Sequence, residues 1–260
     1  MNAAITKTAL ITGAAQGLGA ELAFQLTARG WGLALADLNE AGVRTAAQEC
    51  IARGAAALSI PVDLKTAAGP AAMVQATVDH FGRLDVLINC AAYAAVEAFI
   101  DMTSEVWEDT LLINVRAIAL SMAAAARPMI RQGGGRIINI TSPASRMALP
   151  NYAAYAASKA AVDSLTRSAA VALAPRNIQV NSVAPGMMDT PMQAKTEAIF
   201  AKLEGATDLT AFLAARTARI PSGRRTSCEE VAQSVVWLAA DAPDYITAER
   251  LNISGGLDKD

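Results

Sequence analysis

A doubly wound α/β domain with a parallel sheet is the fold class that this 260-residue sequence predicts, on three observations. Short runs rich in Ile, Val and Leu alternate with longer alanine-rich segments whose apolar residues recur at helical spacing. The runs are continuously apolar, which means burial on both faces and so a sheet with helices on each side. No stretch between the units is richer in Pro, Gly or Ser than a turn requires, so one domain over residues 1–260 is expected.

In chain order, Thr8–Thr12 is the first apolar run, and Gly17–Arg29 after it carries Leu and Ala at helical spacing. Gly32–Ala36 and Ala56–Pro61 are the next runs, separated by the helical pattern of Glu40–Arg53. Ala67–Phe81 leads into a strand at Leu84–Asn89, and a long apolar helix, Ser104–Arg131, precedes the strand Arg136–Thr141. The helix Asn151–Leu173 comes before Gln179–Val183, and Glu229–Ala240 before the last strand, Arg250–Ile253. The expectation is therefore a seven-stranded sheet. Met187 to Arg224 breaks the rhythm and is too apolar for a linker, so it reads as a helical lid over about residues 187–224.

Composition removes several function classes. With 22 basic and 24 acidic side chains the net charge is −2, and 5% of residues are aromatic. Neither a basic stripe for phosphates nor many platforms for bases exist, so nucleic acid is not an expected partner. The longest uncharged stretches, 13 residues at Thr8–Ala20 and Thr66–Val78, fall short of the ~20 needed to span a bilayer, and no membrane association is expected. No basic, then apolar leader precedes the first strand, so a secretory signal is not expected and the cytoplasm is the default. Cys50, Cys90 and Cys228 are odd in number and lack CxxC spacing, which fits reduced thiols. His80, the only histidine, sits at a helix end and suits a surface or capping role; a Ser-His-Asp triad or a multi-histidine metal site has no raw material, and no metal is expected.

The first strand runs into Thr12-Gly13-Ala14-Ala15-Gln16-Gly17-Leu18-Gly19, where the chain must turn and open a helix. Gly13 permits the turn, Gly17 lets backbone approach a pyrophosphate, and Gly19 lets the helix pack closely, with the helix N-terminus aimed at the anion in the Rossmann manner. Asp37 closes the second strand 18 residues after Gly19, where a carboxylate accepts both adenosine ribose hydroxyls. It also suits an N-cap for the next helix, and the two roles are compatible. A carboxylate there repels the 2′-phosphate of NADP, and Ala14, Ala15 and Leu38 offer no cation, so NAD is the expected cofactor. Asp63-Leu64 and Asn89-Cys90-Ala91-Ala92 follow the third and fourth strands, where ligands of such sheets bind; turn chemistry accounts for them equally.

Tyr155 and Lys159 are four apart in a helical segment and project from one face. A phenol with a pKa of about 10 is a poor acid–base group at neutral pH, and a nearby ammonium lowers it. An aromatic half in the core with a lysine reaching water is the other reading of such a pair. Ser142 favours the first, because it closes the fifth strand 13 residues before Tyr155 and its hydroxyl can reach the same carbonyl oxygen. Asn114 is polar within a long apolar helix and is placed to hold a water. Pro185-Gly186, Met188 and Thr190 follow the sixth strand, at the height of a nicotinamide amide.

In these motifs the sequence resembles the short-chain dehydrogenase/reductase family over essentially its whole length. The resemblance implies a catalytic tetrad of Asn114, Ser142, Tyr155 and Lys159, and an NAD site made from Gly13, Gln16, Gly17, Leu18, Gly19, Asp37, Asp63, Leu64, Asn89, Pro185, Gly186, Met188 and Thr190 together with Tyr155 and Lys159. It implies that Tyr155 exchanges the substrate proton, Ser142 positions the oxygen, and Lys159 binds the nicotinamide ribose and depresses the phenol. Ser142, Ser145, Tyr152 and Met187 are expected to meet substrate, with Tyr93 and Met147 nearby. The long lid, with Met187, Met188, Phe200, Leu203, Glu204 and Phe212, is more similar to polyol and acetoin-type members, so a dehydrogenase of a polyol, sugar alcohol or diol is expected. A 3-oxoacyl reductase acting on acyl-carrier or CoA thioesters, and a non-catalytic nucleotide-sensing protein, are the alternatives. Helix pairing across two-fold axes into a homotetramer is also implied. Four positions depart from the family pattern: Cys90, Ala92, Ser145, and Ser254 before Gly255-Gly256.

Overall fold

The computed structural model describes residues 5–258. Its strands are β1 (Thr8–Thr12), β2 (Gly32–Asp37), β3 (Ala57–Pro61), β4 (Val86–Asn89), β5 (Gly135–Ile140), β6 (Ile178–Pro185) and β7 (Arg250–Ile253). All pair in parallel, in the order β3-β2-β1-β4-β5-β6-β7. The strand positions follow the apolar runs, with shifted ends. β4 starts at Val86 rather than Leu84, and Arg83 and Asp85 just before it pair with each other at 2.7 Å.

The pleat sends alternate side chains of β1 into opposite layers. Ala9 and Ile11 pack with Leu22 and Leu26 of α1 (Gly17–Thr27), Val43 of α2 (Glu40–Ala52) and Val235 of α9 (Cys228–Ala240). Leu10 packs with Met73 of α3 (Gly69–Phe81), Met122 of α5 (Ala117–Gln132) and Val162 of α6 (Ala153–Leu173). The long helix expected over Ser104–Arg131 is interrupted. It is α4 (Ser104–Leu111) and α5, joined by a π-helical turn at Leu112–Arg116. Taken as one helix, Ser104–Gln132 is long and apolar enough to cross a membrane, which the count of uncharged residues missed because charges such as Arg116 interrupt the run. Ile118, Met122, Ala125 and Met129 instead pack into the layer beneath the sheet.

The segment expected as a lid contains two helices, α7 (Pro191–Leu203) and α8 (Leu209–Ala218), capped by the side chains of Thr190 and Asp208. The three cysteines are free thiols.

Candidate active site

The strand order reverses between β1 and β4, and a cavity of about 410 Å³ opens where the carboxyl ends of the strands meet. Gly13 adopts φ +70°, and a Cβ there would lie 2.8 Å from Ala91 Cα; one at Gly19 would lie 2.1 Å from the Gly13 carbonyl. Only glycine closes this turn. The helix it opens has no side-chain cap at Gln16, and Gln16, Gly17, Leu18 and Gly19 all line the cavity. Uncapped first-turn amides and the helix dipole suit an anion. Thr12, at the head of the glycine motif, fixes the opposite wall: its hydroxyl accepts from the amides of Cys90 and Ala91 at 3.0 and 3.1 Å.

Asp37 lines the same cavity and accepts from the amides of Ala15 at 3.0 Å and Asn39 at 2.8 Å. Asn39, rather than Asp37, caps α2. A carboxylate has about four acceptor sites, so these two bonds orient Asp37 and leave capacity for sugar hydroxyls. Leu38 beside it is 72% exposed, and among the described residues the only Lys or Arg lining this cavity is Lys159. Asp63 and Leu64 also line it. A glycine turn that a Cβ would block, free helix amides and an oriented carboxylate together fit a dinucleotide.

Asn89 is not brought to the cavity. It is 2% exposed, and its amide donates to Asn139 Oδ1 at 2.8 Å; Asn139 donates in turn to Thr166 at 2.9 Å. This buried chain ties β4, β5 and α6 together, so the polar side chain serves the core behind the site. The backbone that follows it, Cys90 to Ala92, does line the cavity. Burial pushes the Cys90 thiol up to about 12, so it stays protonated there.

Ser142, Tyr155 and Lys159 converge at the inner end of the cavity, with Pro185, Gly186, Met188 and Thr190 beside them. Tyr155 is half-buried on the cavity wall; desolvation pushes its phenol up to about 12, while a hydrogen bond with the Ser142 hydroxyl works in the other direction. Lys159 is 1% exposed, its ammonium 5.5 Å from the centre of the Tyr155 ring and donating to the Ile140 carbonyl at 2.8 Å. Burial brings it down to about 8. Desolvation is the largest influence on the phenol and the Ser142 hydroxyl is the group that lowers it, so the expected depression by Lys159 is not seen in these residues.

Asn114 is fully buried in the π-helical turn, and its side chain is hydrogen-bonded to protein. Its Oδ1 accepts from the Tyr93 amide at 2.7 Å, and its Nδ2 donates to the Tyr93 carbonyl at 2.8 Å and to Ser158 at 3.0 Å. Both amide hydrogens are used. The residue clamps the loop after β4 against α6, and its neighbour Ile113 reaches the cavity wall.

A second cavity of about 410 Å³ shares Ser142, Tyr152, Pro185, Gly186, Gln193 and Thr196 with the first. Its walls are mostly apolar, including Pro143, Ala144, Met147, Leu149, Met187, Phe200 and Leu257, with Glu204, Arg216 and Arg219 as its charged groups. Ser145 lines neither cavity. Its hydroxyl donates to Asp163 at 2.6 Å, which turns it away from the position expected for a substrate contact. Tyr152 links α7 to Tyr155: its ring stacks on Tyr155 at 4.3 Å, meets Phe200 of α7 edge-on at 5.4 Å, and its hydroxyl bonds Thr196. The lid is pinned from below, where Glu197, its side chain 3% exposed, receives Arg225 at 2.8 Å and Arg216 at 3.4 Å. Leu203 and Phe212 lie outside both cavities.

Residues 13–258 match the family model described as enoyl-(acyl carrier protein) reductase. The 3-oxoacyl-[acyl-carrier-protein] reductase FabG of Staphylococcus aureus is 33% identical, over 97% of this chain and 98% of that protein. The structure of NAD⁺-bound xylitol dehydrogenase superposes with a TM-score of 0.93 at 32% identity, covering 97% of this chain and 99% of that one. That of actinorhodin polyketide ketoreductase with NADPH gives 0.95 at 30% identity, covering 100% of both.

Proposed function

The chain belongs to the short-chain dehydrogenase/reductase family, and from that premise we propose that it interconverts a secondary alcohol and its ketone with NAD(H). The observation that carries this reading is the convergence of Ser142, Tyr155 and Lys159 on the cavity whose other end is formed by the glycine turn and Asp37. A nicotinamide cofactor bound there supplies the hydride acceptor for oxidation or the donor for reduction. Gly13 to Gly19 hold its diphosphate, Asp37 its adenosine ribose, and Pro185, Gly186, Met188 and Thr190 its nicotinamide end. The hydroxyls of Ser142 and Tyr155 take the substrate oxygen between them, and Tyr155 acts as general acid toward a ketone and general base toward an alcohol. Lys159, brought down to about 8, stands beside it as a group that loses and regains a proton near neutral pH.

NAD rather than NADP is supported by Asp37, the exposed Leu38 and the lack of Lys or Arg at the adenosine end among the described residues. The lid favours a polyol by resemblance alone. A second reading, the 3-oxoacyl one, is favoured by the apolar walls of the second cavity and by Arg219, which has no ion-pair partner among the described residues. Such a chamber suits an oxo compound with an apolar body and an anionic group. Xylitol, 2,3-butanediol, cyclohexanone and 3-oxobutanoyl-CoA assayed with NAD(H) separate the readings. On the second, Arg219→Met lowers kcat/KM for the thioester at least about tenfold, the worth of one charge-assisted bond, and spares the neutral compounds. Turnover of none of the four removes the oxidoreductase reading.

A cytoplasmic homotetramer is part of the proposal. Leu120 of α5 and Val171 of α6 are exposed apolar groups on the helices expected to pair. Light scattering at micromolar concentration should return four times the chain mass, and a monomeric mass rules the assembly out.

A further inference from the structure

We propose that Arg250 positions Ser142, and that Asp258 holds Arg250 for that task. The inference rests on the reading of Ser142 as the group that orients the substrate oxygen. Arg250 opens β7, 108 residues from Ser142, and its side chain is 8% exposed. Its Nη2 donates to the Ser142 carbonyl at 3.0 Å and to the Ser145 hydroxyl at 3.4 Å. That same Ser145 hydroxyl donates to Asp163, which lies one helical turn past Lys159 on α6 and has its carboxylate 3.4 Å from Arg250 Nε. Asp258 approaches Arg250 Nη2 at 2.6 Å with a side chain 4% exposed.

One buried cation and two buried carboxylates thus join the turn after β5, the helix that carries Tyr155 and Lys159, and the segment whose Leu257 lines the second cavity. Replacing a buried ion pair by packed apolar groups is often neutral or stabilising, so fold stability alone is a weak reason for this cluster. What the cluster does fix is the backbone of Ser142, whose hydroxyl accepts from the Ala144 amide at 3.2 Å and faces Tyr155 from that turn. Asp163 Oδ1, Arg250 Nε and Asp258 Oδ2 have no hydrogen-bond partner among the described residues, so at these atoms charge carries the arrangement. Neutralising one member therefore loosens the whole.

The test compares Asp258→Asn, Arg250→Lys and Arg250→Met with the wild-type full chain by three measurements. These are kcat and KM in the NAD(H) assay with the four compounds above, the NADH dissociation constant by fluorescence, and hydrogen exchange of a peptide spanning residues 141–147. Expected is faster exchange at the Ala144 and Ser145 amides and a lower kcat, about threefold to tenfold for Asp258→Asn and about a hundredfold for Arg250→Met, with partial recovery in Arg250→Lys. KM and the NADH constant should hold within about twofold, a split that general destabilisation does not produce. Wild-type kcat and wild-type exchange in Arg250→Met overturn the proposal, and Asp258→Asn decides if that variant does not fold. Exchange is read without substrate. Unchanged exchange in the variants therefore refutes the positioning role even if none of the four compounds turns over, whereas that lack of turnover with faster exchange refutes only the activity.

Discussion

Tyr155→Phe is expected to bind NADH with nearly wild-type affinity and to lose turnover by about 10² to 10⁴-fold, the usual contribution of a general acid–base group. The phenylalanine ring keeps the 4.3 Å stack on Tyr152 and the lysine beneath it, but the hydroxyl that pairs with Ser142 is gone. More than about a tenth of the wild-type rate, in a step shown to be limited by chemistry, would mean that another group moves the proton. The pH dependence has a definite sign. A phenol pushed up to about 12 is protonated at neutral pH, so ketone reduction has its acid in place there. Alcohol oxidation needs the phenolate, and its rate should climb as pH rises toward that value.

Wild-type enzyme should prefer NAD over NADP by about two to three decades in kcat/KM. Charge-assisted bonds from Asp37 to the ribose hydroxyls contribute about 1.5 to 3 kcal/mol each, and each 1.4 kcal/mol is about tenfold. NADP forfeits such a bond and sets a phosphate beside the carboxylate. Asp37→Ala should narrow the ratio mainly by weakening NAD. Asp37→Ser with Leu38→Arg should reverse it, since serine keeps an acceptor for the amides of Ala15 and Asn39, and the 72% exposure of Leu38 leaves room for a guanidinium. Equal kcat/KM for the two cofactors in the wild type would falsify this role for Asp37.

Sequence pattern located what depends on local chemistry. Burial on both faces marks the inner strands as apolar runs, and residues at strand ends, such as Asp37, Asp63 and Ser142, reach the cavity because parallel strands all end on the same side. What escaped is the direction in which a polar side chain turns. Asn89, Asn114 and Ser145 read in the sequence as ligand-facing, and each is engaged by a partner distant in sequence: Asn139, Tyr93 and Asp163. Periodicity carries no information on such pairings. The π-helical turn is similarly silent, because Leu112–Arg116 reads as ordinary helix until Asn114 is seen to bind Tyr93 on the loop after β4. Thr12 at the end of a wholly buried strand and Arg250 at the start of the edge strand β7 are polar residues whose roles likewise rest on distant partners.

The sheet order also sets when the site comes into being. β1 and β2 carry the glycine turn and Asp37 and belong to the first part of the chain to be synthesised, yet β1 finds its other neighbour only in β4. β7 pairs with β6 from beyond the entire lid, Ser182 opposite Arg250. Parallel pairings this remote form late, because a long loop must close before any contact rewards it. On the proposed roles, a growing chain carries its glycine turn early, whereas the Arg250 contact to Ser142 can form only once β7 has been made.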